Sequence, residues 1–299
     1  MSPRRRRIVG LASSSRLSNL LIGPVYLLTA LLALLPRRLV QHLGLLLGLV
    51  WYYAVPLRRS VVLANLRLAL PELEAPGRRR VARGVLVHVA TTVLELLWTG
   101  PRRHQSLVDS IEIEGLEHYH RLRAQGRGII AVTAHLGNWD LLACSQALAG
   151  VPLSILSKNL SAQLLSQFWM KRRQLTGLTI LPAQGSLAAV LRLLRRGEVL
   201  GVVVDQRTAP NHGGRLIDFL GQPAWTTVTP HVLAARTDAA LLPVWAIRTP
   251  TGGQRVTVGP EITRGPTADD TMAAINEQLG RWVRRYPEQW LWLHRRWSH

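Results

Sequence analysis

The 299-residue chain has one cysteine, Cys144, so no internal disulfide and no multi-cysteine metal site can form. Cys144 falls in an apolar stretch of helical character, which makes it a packing residue and not a nucleophile. Neither a P-loop nor a Gly-x-Gly-x-x-Gly segment occurs, which removes the usual phosphate-cradling fingerprints. A Gly-x-Ser-x-Gly elbow is also missing, disfavouring the common serine-hydrolase arrangement. There are no internal repeats, and His118 and His120 lack the i, i+4 spacing of a helical metal pair. Acidic residues are scarce: 17 Asp and Glu against 37 Lys and Arg leave a formal charge of +20. Such an excess points to a polyanionic partner, whether nucleic acid, an anionic membrane, or an acidic carrier or substrate.

The 10 Trp residues could stack on bases. No helix-turn-helix signature, zinc spacing or aromatic strand motif accompanies them, and several basic residues flank apolar stretches. A membrane surface explains that placement better than nucleic acid. After Arg4–Arg7 and Arg16, the run from Leu17 to Leu35 carries no charge and is closed by Pro36-Arg37-Arg38. At about 1.5 Å per residue it is close to the thickness of a bilayer's hydrocarbon core. A cleaved signal peptide has the same layout, but a second apolar run, Leu39 to Leu57, follows at once and ends near Trp51-Tyr52-Tyr53 and Arg58-Arg59. One span plus an interfacial helix, a re-entrant hairpin and a buried helical hairpin all fit this pattern. The expected division is an N-terminal membrane segment over 1–60 and a catalytic domain over 61–299, with 47 % hydrophobic residues ample for a core.

Beyond residue 78, strand and helix patterns alternate as in an α/β fold. Val81, Val85, Val89, Val93 and Leu97 recur every four residues on an amphipathic helix that also carries Glu95, a carboxylate expected to be paired and structural. Ile111–Glu114 alternates as a half-exposed strand, and a helix follows from Leu116. Further strands are expected at Leu153–Leu156, Leu178–Leu181, Val199–Val204, Leu241–Ile247 and Arg255–Val258, the last as an edge. Helices are expected at Ser186–Arg196 and Thr271–Arg285. Thr226, Thr227 and Thr229 read as the opening of another helix. The pivotal stretch is Gly128-Ile-Ile-Ala-Val-Thr-Ala-His135-Leu-Gly-Asn-Trp-Asp140. A β-branched run delivers a histidine into a Gly-Asn turn, and Asp140 follows as a helix begins. An imidazole takes a proton from a hydroxyl at neutral pH, and a carboxylate on its other nitrogen fixes the tautomer. The alternative is that Asp140 caps the helix and His135 is an ordinary turn residue.

His135-Leu-Gly-Asn-Trp-Asp140 has the histidine, four residues, acid pattern of glycerolipid-type acyltransferases. Together with Val204-Asp205-Gln206-Arg207, Asp218–Ala224, Ala240–Val244 and Tyr286–Trp297, it resembles the bacterial late acyltransferases of lipid A biosynthesis, the lauroyl/myristoyl transferase family. The resemblance spans most of the chain. It implies an α/β fold with a mixed central sheet flanked by helices, glycerolipid acyltransferase-like, and an N-terminal membrane-associating helical segment. It implies transfer of a fatty acyl group from acyl carrier protein to a hydroxyl of a lipid A precursor, at the cytoplasmic side of the inner membrane. His135 would be the base and Asp140 its partner, while Asn138, Arg173, Asp205 and Arg207 would bind substrate; a surface salt bridge is the plainer reading of Asp205 and Arg207. No metal and no cofactor beyond the donor, acyl-ACP or acyl-CoA, is implied, and no nucleic-acid partner. Amides near the Gly-Asn turn would serve as an oxyanion site, and Trp290, Trp292 and Trp297 as interface or core anchors. Two departures stand out: the acid is Asp where many relatives carry Glu, and a loop at Asn211–Gly214 leaves the acceptor open. Acyl-CoA-dependent phosphatidylinositol mannoside or lysophospholipid acylation is the nearest alternative; a degenerate membrane-bound or nucleic-acid-binding protein is the alternative from another class.

Overall fold

A computed structural model describes residues 16–157 and 163–298, without the side chains of 16–22 and 163–165. The Arg4–Arg7 cluster and Lys158-Asn159 lie outside the described residues. Four helices open the described residues: α1 (Arg16–Leu34), α2 (Arg37–Ala54), α3 (Arg59–Ala69) and α4 (Ala75–Trp98). α5 (His104–Asp109), β1 (Ile111–Glu114), α6 (Leu116–Ala124), β2 (Ile129–Thr133), α7 (Trp139–Leu148), β3 (Leu153–Ser157), α8 (Gln163–Gln174), β4 (Thr179–Pro182), α9 (Leu187–Arg195) and β5 (Val199–Val203) follow. The chain continues through β6 (Arg215–Phe219), β7 (Gln222–Thr226), α10 (Thr229–Thr237), β8 (Ala240–Arg248), β9 (Gln254–Val258) and α11 (Ala268–Arg285).

Seven strands form one sheet in the order β1-β9-β8-β2-β5-β3-β4. β8 and β9 pair antiparallel and the other neighbours parallel, so the sheet is mixed, as expected. β2 lies between β5 and β8. Helices cover both of its faces, which is why Ile129–Val132 is apolar throughout instead of alternating. β9, expected at an edge, is interior; the edge on its side is β1, whose Glu112 and Glu114 reach solvent and pair with Arg255 of β9.

The hairpin β6–β7 was not foreshadowed, and Thr226 ends its second strand instead of opening a helix. Its turn uses Leu220 and Gly221, at φ 60° and 81°. Two-residue hairpin turns with both centres left-handed normally announce themselves as Asn-Gly, and leucine in the first place hides the signal. α11 is started by a capping box between Thr267 and Asp270. Its buried face, with Met272, Ile275, Leu279 and Val283, packs on this hairpin.

α2 is laid along α4. Its buried residues Val40, Gly44, Gly48 and Tyr52 recur every four. A Cβ at Gly48 would come 2.3 Å from the Cα of Val87, and one at Gly44 2.6 Å from the Cα of Thr91. The two backbones therefore touch, and only glycine fits between them. The outward side of α1 and α2 exposes Leu27, Leu31, Leu34, Leu46, Leu47 and Tyr53. Among the described residues α4 alone is long and apolar enough to cross a bilayer as one straight helix, yet 72 % of its apolar window is buried inside the protein, as in a core helix. α2 and α3 meet at 89°.

Candidate active site

Parallel pairing of β2 with β5 sets Thr133 beside Val203. Carried two residues beyond the paired segment, the same register brings His135 opposite Asp205. Both leave the carboxyl ends of their strands, where side chains line a crevice. His135 Nδ1 lies 2.8 Å from Asp205 Oδ1. Asp205 Oδ2 accepts from the backbone N–H of His135 at 2.9 Å and from Trp290 Nε1 at 2.7 Å.

Asp205 is buried, which pushes its pKa up. The charge of His135, the two bonds from His135 and the bond from Trp290 outweigh that, and the carboxyl sits below its usual range. An ionised Asp205 accepts hydrogen bonds and donates none, so the proton of a neutral His135 ring rests on Nδ1 and the lone pair on Nε2. The imidazole edge packs against Trp139 at 4.9 Å between ring centroids, and the side chain keeps 18 % of its surface exposed. The ring is fixed on one side and open on the other.

Asp140 occupies a different place. Its Oδ1 accepts from Arg173 Nε at 2.6 Å, and its side chain is 2 % exposed. The expected contact of Asp140 with His135 gives way to this ion pair, and Asp205 stands where Asp140 was expected. The reason is burial: a guanidinium brought against α7 by α8 requires a carboxylate beside it. Arg173 is correspondingly a cation bound on Asp140, also touching Ser157 Oγ at 3.5 Å.

Asn138 has no exposed surface. Its Oδ1 accepts from Leu141 N–H, capping α7, and its Nδ2 donates to Glu95 Oε2 at 2.9 Å. It supports the turn, where a substrate contact was expected. Arg207 is tied to the C-terminal block, its N–H donating to His294 Nε2 at 2.9 Å and its Nε to Ser298 O at 2.8 Å.

The turn after His135 is anchored on both sides. Gly137 takes φ 59°, and a Cβ there would meet Ala246 O at 2.2 Å, so glycine is required. Gly137 N–H donates to Gln289 O at 3.0 Å, and Leu291 N–H to His135 O at 3.0 Å. The amides of His135, Gly137 and Leu141 are thus engaged inside the protein. His88 Nε2–H donates to Gly137 O at 3.0 Å while Nδ1 accepts from Arg248 at 2.7 Å.

Sequence reasoning did not find the roles of His88, Arg248 and Trp290, because their contacts come from α4, β8 and the C-terminal segment. Trp290, Trp292 and Trp297 are buried core residues with ring centroids 4.7–6.2 Å apart. Arg296 is fully buried with its guanidinium 5.4 Å from the Phe219 ring centroid, and burial pushes it down to about 10. Cys144 is buried among Leu107 and Leu141, its thiol pushed up to about 12 by burial and then by the charge of Asp140, which suits packing.

The buried base and acid of α4 make the fold acid-sensitive. Burial, then the charge of Arg248, holds His88 down at about 3 against an ordinary 6.5. Glu95 sits at about 2 against 4.5, because Arg248 and Arg37 outweigh the effect of burial. For both groups the unfolded chain binds more protons than the folded one between the paired values. Stability should therefore fall as pH drops from about 6.5 through about 3, first from His88 and below about 4.5 also from Glu95. Melting temperature measured across this range checks it, and a His88→Asn chain should show a flatter upper limb; an unchanged limb would remove His88 as the cause.

The sequence profile of bacterial lipid A biosynthesis acyltransferases matches residues 14–299. The chain belongs to this family. It is thus an acyltransferase, and the histidine of its histidine, four residues, acid segment is the ring bonded to Asp205. The lipid A biosynthesis lauroyltransferase of Escherichia coli (strain K12) is 27 % identical over 296 residues, covering 94 % of each chain. The lipid A biosynthesis palmitoleoyltransferase of the same strain is 25 % identical over 269 residues, 88 % of this chain and 86 % of that one. A phosphatidylinositol mannoside acyltransferase of Mycobacterium tuberculosis (strain ATCC 25618 / H37Rv) is 26 % identical over 201 residues, 65 % of this chain and 63 % of that one. Among solved structures, the 1-acyl-sn-glycerophosphate acyltransferase PlsC from Thermotoga maritima covers 85 % of this chain and 99 % of its own, at 17 % identity and a TM-score of 0.40.

Proposed function

We propose that the protein transfers a fatty acyl group directly from an acyl thioester, acyl carrier protein being the donor, to a hydroxyl of a membrane glycolipid of the lipid A precursor class. The observation that carries this is the His135–Asp205 bond, which leaves Nε2 of a neutral imidazole as the acceptor for a proton. In this reading Nε2 takes the proton of the acceptor hydroxyl as its oxygen attacks the thioester carbon. The C–S bond then breaks, and the imidazolium returns the proton to the departing thiolate, so one ester and one thiol result. The imidazolium is stabilised meanwhile by Asp205. Amides at the start of α7 are suited to the developing oxyanion.

The apolar outer side of α1 and α2 supports contact with the inner membrane, with the crevice on the cytoplasmic side where acyl carrier proteins are found. The net charge of +20 favours an acidic carrier and a phosphorylated acceptor. Acyl-CoA-dependent acylation of a phosphatidylinositol mannoside is the second reading, favoured by the mycobacterial relative, though the match to the lauroyltransferase covers more of both chains.

Full-length protein in detergent, given acyl-ACP or acyl-CoA with each glycolipid in turn, should add the mass of one fatty acid less water to the lipid A precursor. Mass gain on the phosphatidylinositol mannoside alone would favour the second reading. Salt-sensitive DNA binding with no thioester turnover would overturn both.

A further inference from the structure

Glu95 has no exposed side-chain surface and gathers partners from distant parts of the sequence. On one side Oε1 accepts from Arg37 Nη2 at 3.2 Å and Gln41 Nε2 at 2.7 Å, both on α2. On the other, Oε2 accepts from Arg248 Nη2 at 2.6 Å and from Asn138 Nδ2 at 2.9 Å. Asn138 caps α7, and Arg248 passes a second bond through His88 to the carbonyl of Gly137. Gln289 clasps the backbone of Arg248 with two bonds and receives the N–H of Gly137.

The α1–α2 corner is fastened to the same region. Trp98 Nε1 donates to Leu35 O at 3.0 Å, Arg103 to Ala33 O at 2.9 Å, and Arg37 Nη1 to Ser110 Oγ at 2.6 Å. One buried carboxylate therefore has the seat of α2 on one oxygen and the turn that follows His135 on the other.

We infer that Glu95 is a positioning residue, through which the seating of α2 and the α1–α2 corner on α4 sets the backbone between His135 and Asp140. The catalytic consequence rests on the acyl-transfer reading; the mechanical one does not. The α1–α2 segment is then part of the working site and more than an attachment to lipid. Arg37 bonds Glu95 and Ser110 and not His135 or Asp205, yet losing it should loosen the turn, because Glu95 left with fewer partners shifts toward Arg248 and away from Asn138.

The test uses full-length protein in detergent with Arg37→Met, Asn138→Ala and the double variant, read by turnover and by amide exchange of the peptide spanning residues 134–142. Arg37→Met should lower kcat by roughly 10- to 100-fold, with KM for the thioester within about twofold, since small misplacements of a catalytic group have effects of this order. Exchange in the peptide should rise by about tenfold or more, as expected when local opening becomes easier. The double variant should be little worse than the poorer single one, because the two act through a common residue. Wild-type exchange and turnover in Arg37→Met, or losses that multiply in the double variant, would overturn the inference. If the wild-type protein turns over no thioester, the acyl-transfer reading alone fails and exchange still decides the coupling. Should Arg37→Met fail to accumulate, Gln41→Met keeps both ion pairs while removing two bonds of 2.7 Å; it should raise exchange in the same peptide, and no change there counts against Glu95.

Discussion

Replacing His135 by alanine should reduce acyl transfer by roughly 10²- to 10⁴-fold, the range that general base catalysis contributes. The loss should appear in kcat, because Nε2 acts on a proton that moves only as the tetrahedral intermediate forms. The substitution removes one hydrogen bond to Asp205 and an edge contact with Trp139, while the His135 backbone N–H and Trp290 still satisfy Oδ2. Folding and binding to anionic vesicles should therefore persist, as melting temperature and vesicle sedimentation will show. Transfer at the wild-type rate would eliminate His135 as the base.

Asp205→Asn is expected to cost nearly as much, on the order of 10²- to 10⁴-fold in kcat, because it reverses the tautomer of His135. An asparagine here must direct its NH₂ either at His135 Nδ1 or at two N–H donors, the His135 amide and the Trp290 indole. The first arrangement has fewer opposed donors. It forces Nδ1 to accept, moves the ring proton to Nε2 and removes the base. Asp140→Asn makes the contrast: it leaves Arg173 without its buried counter-charge, a loss of about 3–5 kcal/mol where such a pair is broken on one side. That variant should melt earlier and keep more of its kcat per folded molecule than Asp205→Asn does. The opposite result, with Asp205→Asn active and Asp140→Asn folded but inactive, would return the orienting role to Asp140. Measuring kcat and melting temperature on both chains separates the two.

The same residues show how far a linear reading reaches. The strand into His135, the helix beginning beside Asp140 and the strand ending at Asp205 were all legible, because burial on both faces of β2 and β5 leaves continuous apolar runs and Gly-Asn marks the break. That Asp205 would emerge beside the histidine's strand was also legible as a possibility of α/β topology. Which acid holds the imidazole was not. Asp140 is five residues away in the chain and Asp205 is seventy away, yet the parallel register of β2 with β5 sets the distant one against Nδ1. Arg173 then occupies the near one.

Glu95 was readable as a paired carboxylate, since a charge within an apolar helical face demands a partner. Its partners could not be named, because Arg37, Arg248 and Asn138 lie 58, 153 and 43 residues away and meet only when α2, β8 and the turn after His135 close around α4. The sequence by itself determined the chemistry on offer: an imidazole at a strand end, an excess of cations, apolar helices at the start, and the family. The tertiary structure alone decided which charges pair, because local spacing fixes what a segment is, while the energetic need to neutralise a buried charge is met by whatever the packing of distant elements brings within about 3 Å.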